Sequence, residues 1–142
     1  MDYNFYGAYV SKDIKPIIDI KINNPVDLYD VLSEIWCKYT CAPRLRFRWT
    51  KYNKTVGQCS ITAFLVQDIF GGDVYGIEIG ENTYHCFNKI NGLVFDLTSE
   101  QFNEVLDYDN STLQSRDTHF SKEEKYERYL YLKKKLNEYL EM

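Results

Sequence analysis

At 142 residues, 44% hydrophobic and 27% charged, the chain has the length and composition of one folded domain with a real core, not of a disordered or fibrous protein. Its formal net charge of -4 sets aside a dedicated nucleic-acid binder, which needs a basic face against phosphates. No apolar run approaches the roughly 18 residues that span a bilayer, and the first six residues lack the basic-then-apolar order of a secretion signal. The expected location is therefore the cytoplasm, with Cys37, Cys41, Cys59 and Cys86 as reduced thiols.

The expected organisation is a single domain over 1–142, with a core from about 25 to 106, an N-terminal arm over 1–24 and a C-terminal helix over about 121–140. In the arm, Ile17, Ile18, Ile20 and Ile22 form an apolar stretch that could pair at a sheet edge. Asn24 is a good N-cap, Pro25 suits the first helical position, and Asp27 complements the dipole, so a helix begins there. Leu28, Val31, Leu32, Ile35, Trp36 and Tyr39 recur at three and four and give it one apolar face before Thr40–Pro43 ends it. Arg44-Leu45-Arg46-Phe47-Arg48-Trp49 alternates strictly and predicts a half-buried strand whose arginines share one face. That stripe reads as a solvated face before an anion reader.

From Gly57 to Phe70 few residues are polar, which predicts a helix inside the domain, stopped by Gly71-Gly72. Three short strands follow, Val74–Ile79, Thr83–Ile90 and Leu93–Leu97, the first pair turned by Gly80–Asn82 and the second by Asn91-Gly92. Thr98-Ser99-Glu100-Gln101 is a capping box for a short helix to Val105 or Leu106, and 107–120 reads as a polar loop. Ser121 with Glu124 makes a second capping box, opening the C-terminal helix. The fold class expected is α+β, helices packed on a small antiparallel sheet.

Cys59 falls in the first turn of the buried helix. Unpaired amides and the positive end of the dipole stabilise a thiolate there, and the same amides could hold an oxyanion. A nucleophilic thiol needs a base, and the chain has two histidines, His85 on the central hairpin and His119 in the polar loop. Hairpin parity favours His85. With a two-residue turn at Asn91-Gly92, Phe87 faces Asp96, so His85 and Asp96 are diagonal neighbours on one face. A four-residue turn sets them directly opposite, and only an odd-length loop separates them. An aspartate between Phe95 and Leu97 is disfavoured in a strand, and orienting a histidine gives it a reason to be there.

Gly57-Gln58-Cys59 followed by His85-Cys86-Phe87-Asn88 and Phe95-Asp96-Leu97-Thr98 resembles the transglutaminase-like and papain-like superfamily, with cysteine, histidine and aspartate in the same order. More closely, residues from about 28 to 102 resemble the small bacterial YunG-like family, on Gly57-Gln58-Cys59, Gln67-Asp68, Gly71-Gly72, His85, Asn88 and the run Asp96–Phe102. Ser60 stands where transglutaminases usually carry tryptophan, and no calcium-site cluster is evident. The resemblance implies a core with a central buried helix and a Cys59-His85-Asp96 triad.

The expected activity is thiol-dependent acyl transfer, or amide or ester hydrolysis, on a small-molecule, peptide or protein substrate. Gln58 and Asn53 are the candidates for oxyanion or support roles, Gln58 more readily as an anchor; Asn53 precedes Cys59 by the spacing at which papain-like enzymes carry an oxyanion glutamine. No cofactor or metal is expected: Cys37 and Cys41 with Cys59 and His85 or Cys86 could supply four ligands, but there is no CxxC pair. The alternative is a non-catalytic binding or inhibitor module on the same scaffold.

Overall fold

The structure, a computed structural model, describes residues 5–81 and 83–141. Expectations for residues 1–4, for Asn82 in the first turn and for Met142 lie outside the described residues. The chain order is α1 (Ala8–Ser11), α2 (Pro25–Ile35), α3 (Cys59–Phe70), β1 (Asp73–Gly80), β2 (Thr83–Ile90), β3 (Leu93–Phe95), β4 (Thr112–Leu113), α4 (Arg116–Phe120) and α5 (Glu123–Leu140). Two 3-10 segments, Pro43–Arg48 and Ser99–Gln101, complete it. The fold is α+β, helices on a small antiparallel sheet of order β3-β2-β1-β4.

The N-cap of α2 forms as its sequence dictates: Asn24 accepts from the Asp27 amide and Pro25 opens the helix. The helix ends at Ile35, earlier than its apolar spacing predicts, because Trp36 turns out of helical geometry and its indole N–H donates to Thr62 Oγ1, 3.0 Å away in α3. α3 is buried along most of its length, with Phe64 fully enclosed, a burial that contributes roughly 1.5–3 kcal/mol. Asn88 Nδ2 on β2 donates to Ala63 O and ties this helix to the sheet.

The second hairpin closes with Asn91 (φ 52°) and Gly92 (φ 81°), both left-handed, the two-residue turn that matches strand twist. Ile90 faces Leu93 and Asn88 faces Phe95, the register in which Asp96 and His85 share a face. The main core lies between the helices and one side of the sheet; Ile77, Phe87 and Tyr108 form a smaller cluster.

Five local expectations fail, each because another contact outweighs the signal read from the sequence. Residues 44–49 are not a strand. Pro43 starts a 3-10 segment, Phe47 is 82% exposed, and Arg46 donates to the carbonyls of Lys38, Tyr39 and Cys41, so this arginine belongs to the scaffold and no common arginine face exists. The isoleucines of the arm do not pair at an edge: Ile17 and Ile18 are exposed and Ile22 is buried in the core, while Tyr6 bridges to Asp96. Thr98 does not cap a helix, since its amide and hydroxyl go to Asp96 Oδ1 (3.1 and 3.3 Å), leaving a single 3-10 turn. Ser121 Oγ donates back to Thr118 O and Glu124 pairs with the buried Arg128, so α5 starts at Glu123 without that box. Within the expected polar loop, Thr112 and Leu113 add β4 to the free edge of β1, and α4 follows.

Candidate active site

Cys59 is the first residue of α3, where the amides of the opening turn have no acceptor within the helix. The loop before it is held tightly. Gly57 takes φ 71°, and a β-carbon there would lie 2.5 Å from Cys41 Sγ and 2.9 Å from the Ala42 amide nitrogen. Its carbonyl accepts from that same Ala42 amide. Gln58 is fully buried and its Nε2 donates to Cys37 O at 3.2 Å, so the side chain fastens the loop to the end of the α2 segment. Asn53 sits in a turn bridged to Thr50, and among the described residues no hydrogen bond joins it to Cys59.

Cys59 lies against the start of β2, with Sγ 4.0 Å from Tyr84 O, and keeps partial solvent exposure. There its titration responds to both residues that follow, His85 and Cys86. His85 and Asp96 are fully buried, and His85 Nε2 lies 2.6 Å from Asp96 Oδ2. The acid is saturated: Oδ2 also accepts from the Tyr108 hydroxyl at 2.8 Å, and Oδ1 accepts from Thr98. The Phe102 ring meets the imidazole edge-on. With Nε2 committed to Asp96, the ring can meet the Cys59 thiol only through Nδ1, which is buried and has no partner at full hydrogen-bond distance. The Cys59–His85 contact is thus looser than a finished hydrogen bond, as in sites that tighten only with substrate bound.

The electrostatics follow from these contacts. Burial works to lower the His85 pKa, but the charge and hydrogen bond of Asp96, reinforced by Cys59, outweigh it and raise it to about 10. The Cys59 thiol is held well below its ordinary value, first by its interaction with Cys86, then, against burial, by the proximity and charge of His85. Cys86 moves the opposite way, well above its ordinary value, through the same interaction with Cys59 and through burial. These shifts favour a thiolate on Cys59 over one on Cys86, beside a charged His85. Burial and the charge of Asp96 push the Tyr108 hydroxyl up, so it remains a donor.

Three further groups converge from the far end of the chain. His119 of α4 lies with Nε2 4.0 Å from Cys86 Sγ and 2.8 Å from Gln114 Oε1, and its Nδ1 is 2.8 Å from Lys125 Nζ of α5. An ammonium must donate to Nδ1, which places the histidine proton on Nε2, donated to Gln114. Burial and the Lys125 charge lower the His119 pKa to about 4, and burial lowers that of Lys125. Strand alternation puts Cys86 and His85 on opposite faces, and the sequence pointed to Cys86 only as a possible metal ligand. His119 and Lys125 carry no local signal at all. Among the described residues, no group of three or more His, Cys, Asp or Glu side chains could hold a metal ion, and no helix is long and apolar enough to cross a membrane.

Comparison with known proteins adds a family and no activity. The chain is 36% identical over 78 residues to "Uncharacterized protein YunG" of Bacillus subtilis (strain 168), a stretch covering 55% of this chain and 63% of that relative. No solved structure matches significantly. The family model described as "YunG protein" matches residues 24–141, which contain every residue of the site above, and the chain belongs to this family.

Proposed function

We propose that this chain is a thiol-dependent acyl-transfer or amide and ester hydrolysing enzyme of the cytoplasm, built on a papain-like or transglutaminase-like core. The observation that carries the reading is the buried His85–Asp96 pair at 2.6 Å, whose other ring nitrogen is left for a cysteine at the start of a helix. In this scheme the Cys59 thiolate attacks a substrate carbonyl carbon, and the carbonyl electrons move onto oxygen. The first-turn amides of α3 stabilise that oxyanion. His85, already protonated, gives its proton to the departing amine or alkoxide, leaving a thioester on Cys59. It then takes a proton from the incoming water or amine that releases the acyl group. Asp96, held by Tyr108 and Thr98, fixes the tautomer and offsets the imidazolium charge.

The test is the pH dependence of iodoacetamide labelling in wild type, Cys59→Ala and His85→Ala. Wild type should label rapidly at pH 6 at Cys59 alone. Cys59→Ala should lose that labelling while keeping its circular dichroism spectrum, and in His85→Ala labelling should shift to higher pH. A Cys59 that titrates near 8.5, like a free thiol, in all folded forms would remove the enzyme reading in favour of a binding or inhibitor module.

A further inference from the structure

Cys59 lies in a long run with no acidic residue. Six of the chain's 17 lysines and arginines, and none of its 21 acids, fall between Glu34 and Asp68, although the chain as a whole is acidic. Five of the six, Arg44, Arg46, Arg48, Lys51 and Lys54, lie between Pro43 and Thr55, and among the described residues none of the six pairs with a carboxylate. Arg46 is bound to backbone carbonyls, but the side chains of Arg44, Arg48 and Lys51 are exposed. Beside them stand two bare rings, Phe47 at 82% and Tyr52 at 89% exposure. We infer that this loop is the docking surface for an acidic polypeptide segment, which it holds beside Cys59 as substrate.

The loop is tied down, so its charges keep a set position relative to the cysteine. Ala42 N–H donates to Gly57 O at 2.9 Å, Arg46 Nε donates to Cys41 O, and the Trp49 indole N–H donates to Lys54 O at 2.9 Å. A β-carbon on Gly57 would lie 3.4 Å from Leu45 Cβ, so the 3-10 segment packs directly on the turn that presents Cys59. Thr50 bridges Asn53, which puts Lys51 and Tyr52 at the tip of a tight turn. The forked guanidinium groups of Arg44 and Arg48 match carboxylates two oxygens at a time, and the rings give an interleaved apolar side chain a place to bury. An exposed ion pair contributes little alone, so the loop selects a run of acids over a single one. A polypeptide fits better than a nucleic acid or a bilayer. Those spread their negative charge well past one loop and would face the acid-rich remainder of the chain, whereas a short acidic segment ends where the cations end.

The substrate role rests on the thiol-enzyme reading; the docking itself does not. The test measures the fluorescence anisotropy of a fluorescein-labelled oligoglutamate peptide carrying one phenylalanine, with the full chain at low and at physiological salt. Wild type and Cys59→Ala should bind it equally, more weakly as salt rises, and neither should bind the same peptide with glutamine for glutamate. Arg44→Glu, Arg48→Glu and Lys51→Glu together should weaken binding at least about tenfold. If that triple variant does not fold, NMR of the wild-type indole N–H signals decides: the peptide should shift Trp49, at the end of the 3-10 segment, and leave the buried Trp36 in place. Bound peptide should also slow iodoacetamide labelling of Cys59, and unchanged labelling would overturn its placement beside the sulfur. No binding, equal binding by the folded triple variant, or tighter binding of phosphatidylserine vesicles or single-stranded oligothymidylate would each overturn the inference. Rapid labelling of Cys59 at pH 6 with no peptide bound removes the docking alone. Peptide binding without that rapid labelling leaves the docking and removes the substrate role.

Discussion

Replacing Asp96 by asparagine keeps the shape of the site and removes one charge and one acceptor. The carboxylate takes donors on both oxygens: His85 and Tyr108 on Oδ2, Thr98 N–H and O–H on Oδ1. An asparagine cannot satisfy both sides. Its NH2 cannot oppose the fixed Thr98 amide, so it turns toward His85 and Tyr108. Tyr108 can rotate its hydroxyl hydrogen away and accept, but His85 must expose a lone pair at Nε2 and move its proton to Nδ1, the nitrogen left for Cys59. The energetic cost has two independent measures. A His85 pKa raised from 6.5 to about 10 corresponds, at about 1.4 kcal/mol per pH unit, to roughly 5 kcal/mol of stabilisation. Removing one partner of a buried charged pair costs about 3–5 kcal/mol. The sign is set by the folded pKa lying above the unfolded one: this stability is fully present below 6.5 and is lost as pH rises through about 10. Asp96→Asn should therefore be less stable than wild type by about 3–5 kcal/mol at pH 6, with the gap narrowing as pH approaches 10. Urea unfolding followed by tryptophan fluorescence at pH 6, 8 and 9.5 measures it. A gap below about 1 kcal/mol at pH 6, or one of constant size across the series, would refute the charged pair.

Two other outcomes test the surroundings of the site. Gly57→Ala forces a side chain onto a left-handed residue, itself worth about 1–3 kcal/mol, and drives its β-carbon into Cys41 Sγ. Urea unfolding should show a loss of at least about 2 kcal/mol, and a neutral result would mean the turn before Cys59 is not held as described. Lys125→Met removes the ammonium on His119 Nδ1, so the His119 pKa should rise from about 4 toward 6.5, stopping short because burial persists. An unchanged NMR titration of the His119 ring would disprove that contact.

Much of the site is legible in the amino-acid sequence. Asn24-Pro25 starts α2 and Asn91-Gly92 closes the hairpin, because each signal acts through its own backbone and needs no distant partner. That turn then sets the parity of β2 and β3, which puts His85 and Asp96 on one face whatever packs above them. Signals with a choice of partner are the ones that mislead. Thr98 and Ser121 look like caps, but a hydroxyl bonds the acceptor that folding brings nearest, and for Thr98 that is Asp96. Alternation over 44–49 reads as a strand only until Pro43 and the Arg46 carbonyl contacts wind the segment into a 3-10 turn.

The sequence by itself therefore determined the buried helix that begins at Cys59 and the shared face of His85 and Asp96, since both follow from helix and strand periodicity near a specified turn. Only the tertiary structure decided what surrounds the Cys59 sulfur. The helix start lies against the beginning of β2, where the sulfur sits 4.0 Å from Tyr84 O. His119 and Lys125 arrive with α4 and α5, from more than thirty residues further along the chain. No local periodicity encodes that arrival, because it is set by how the last two helices pack on the core.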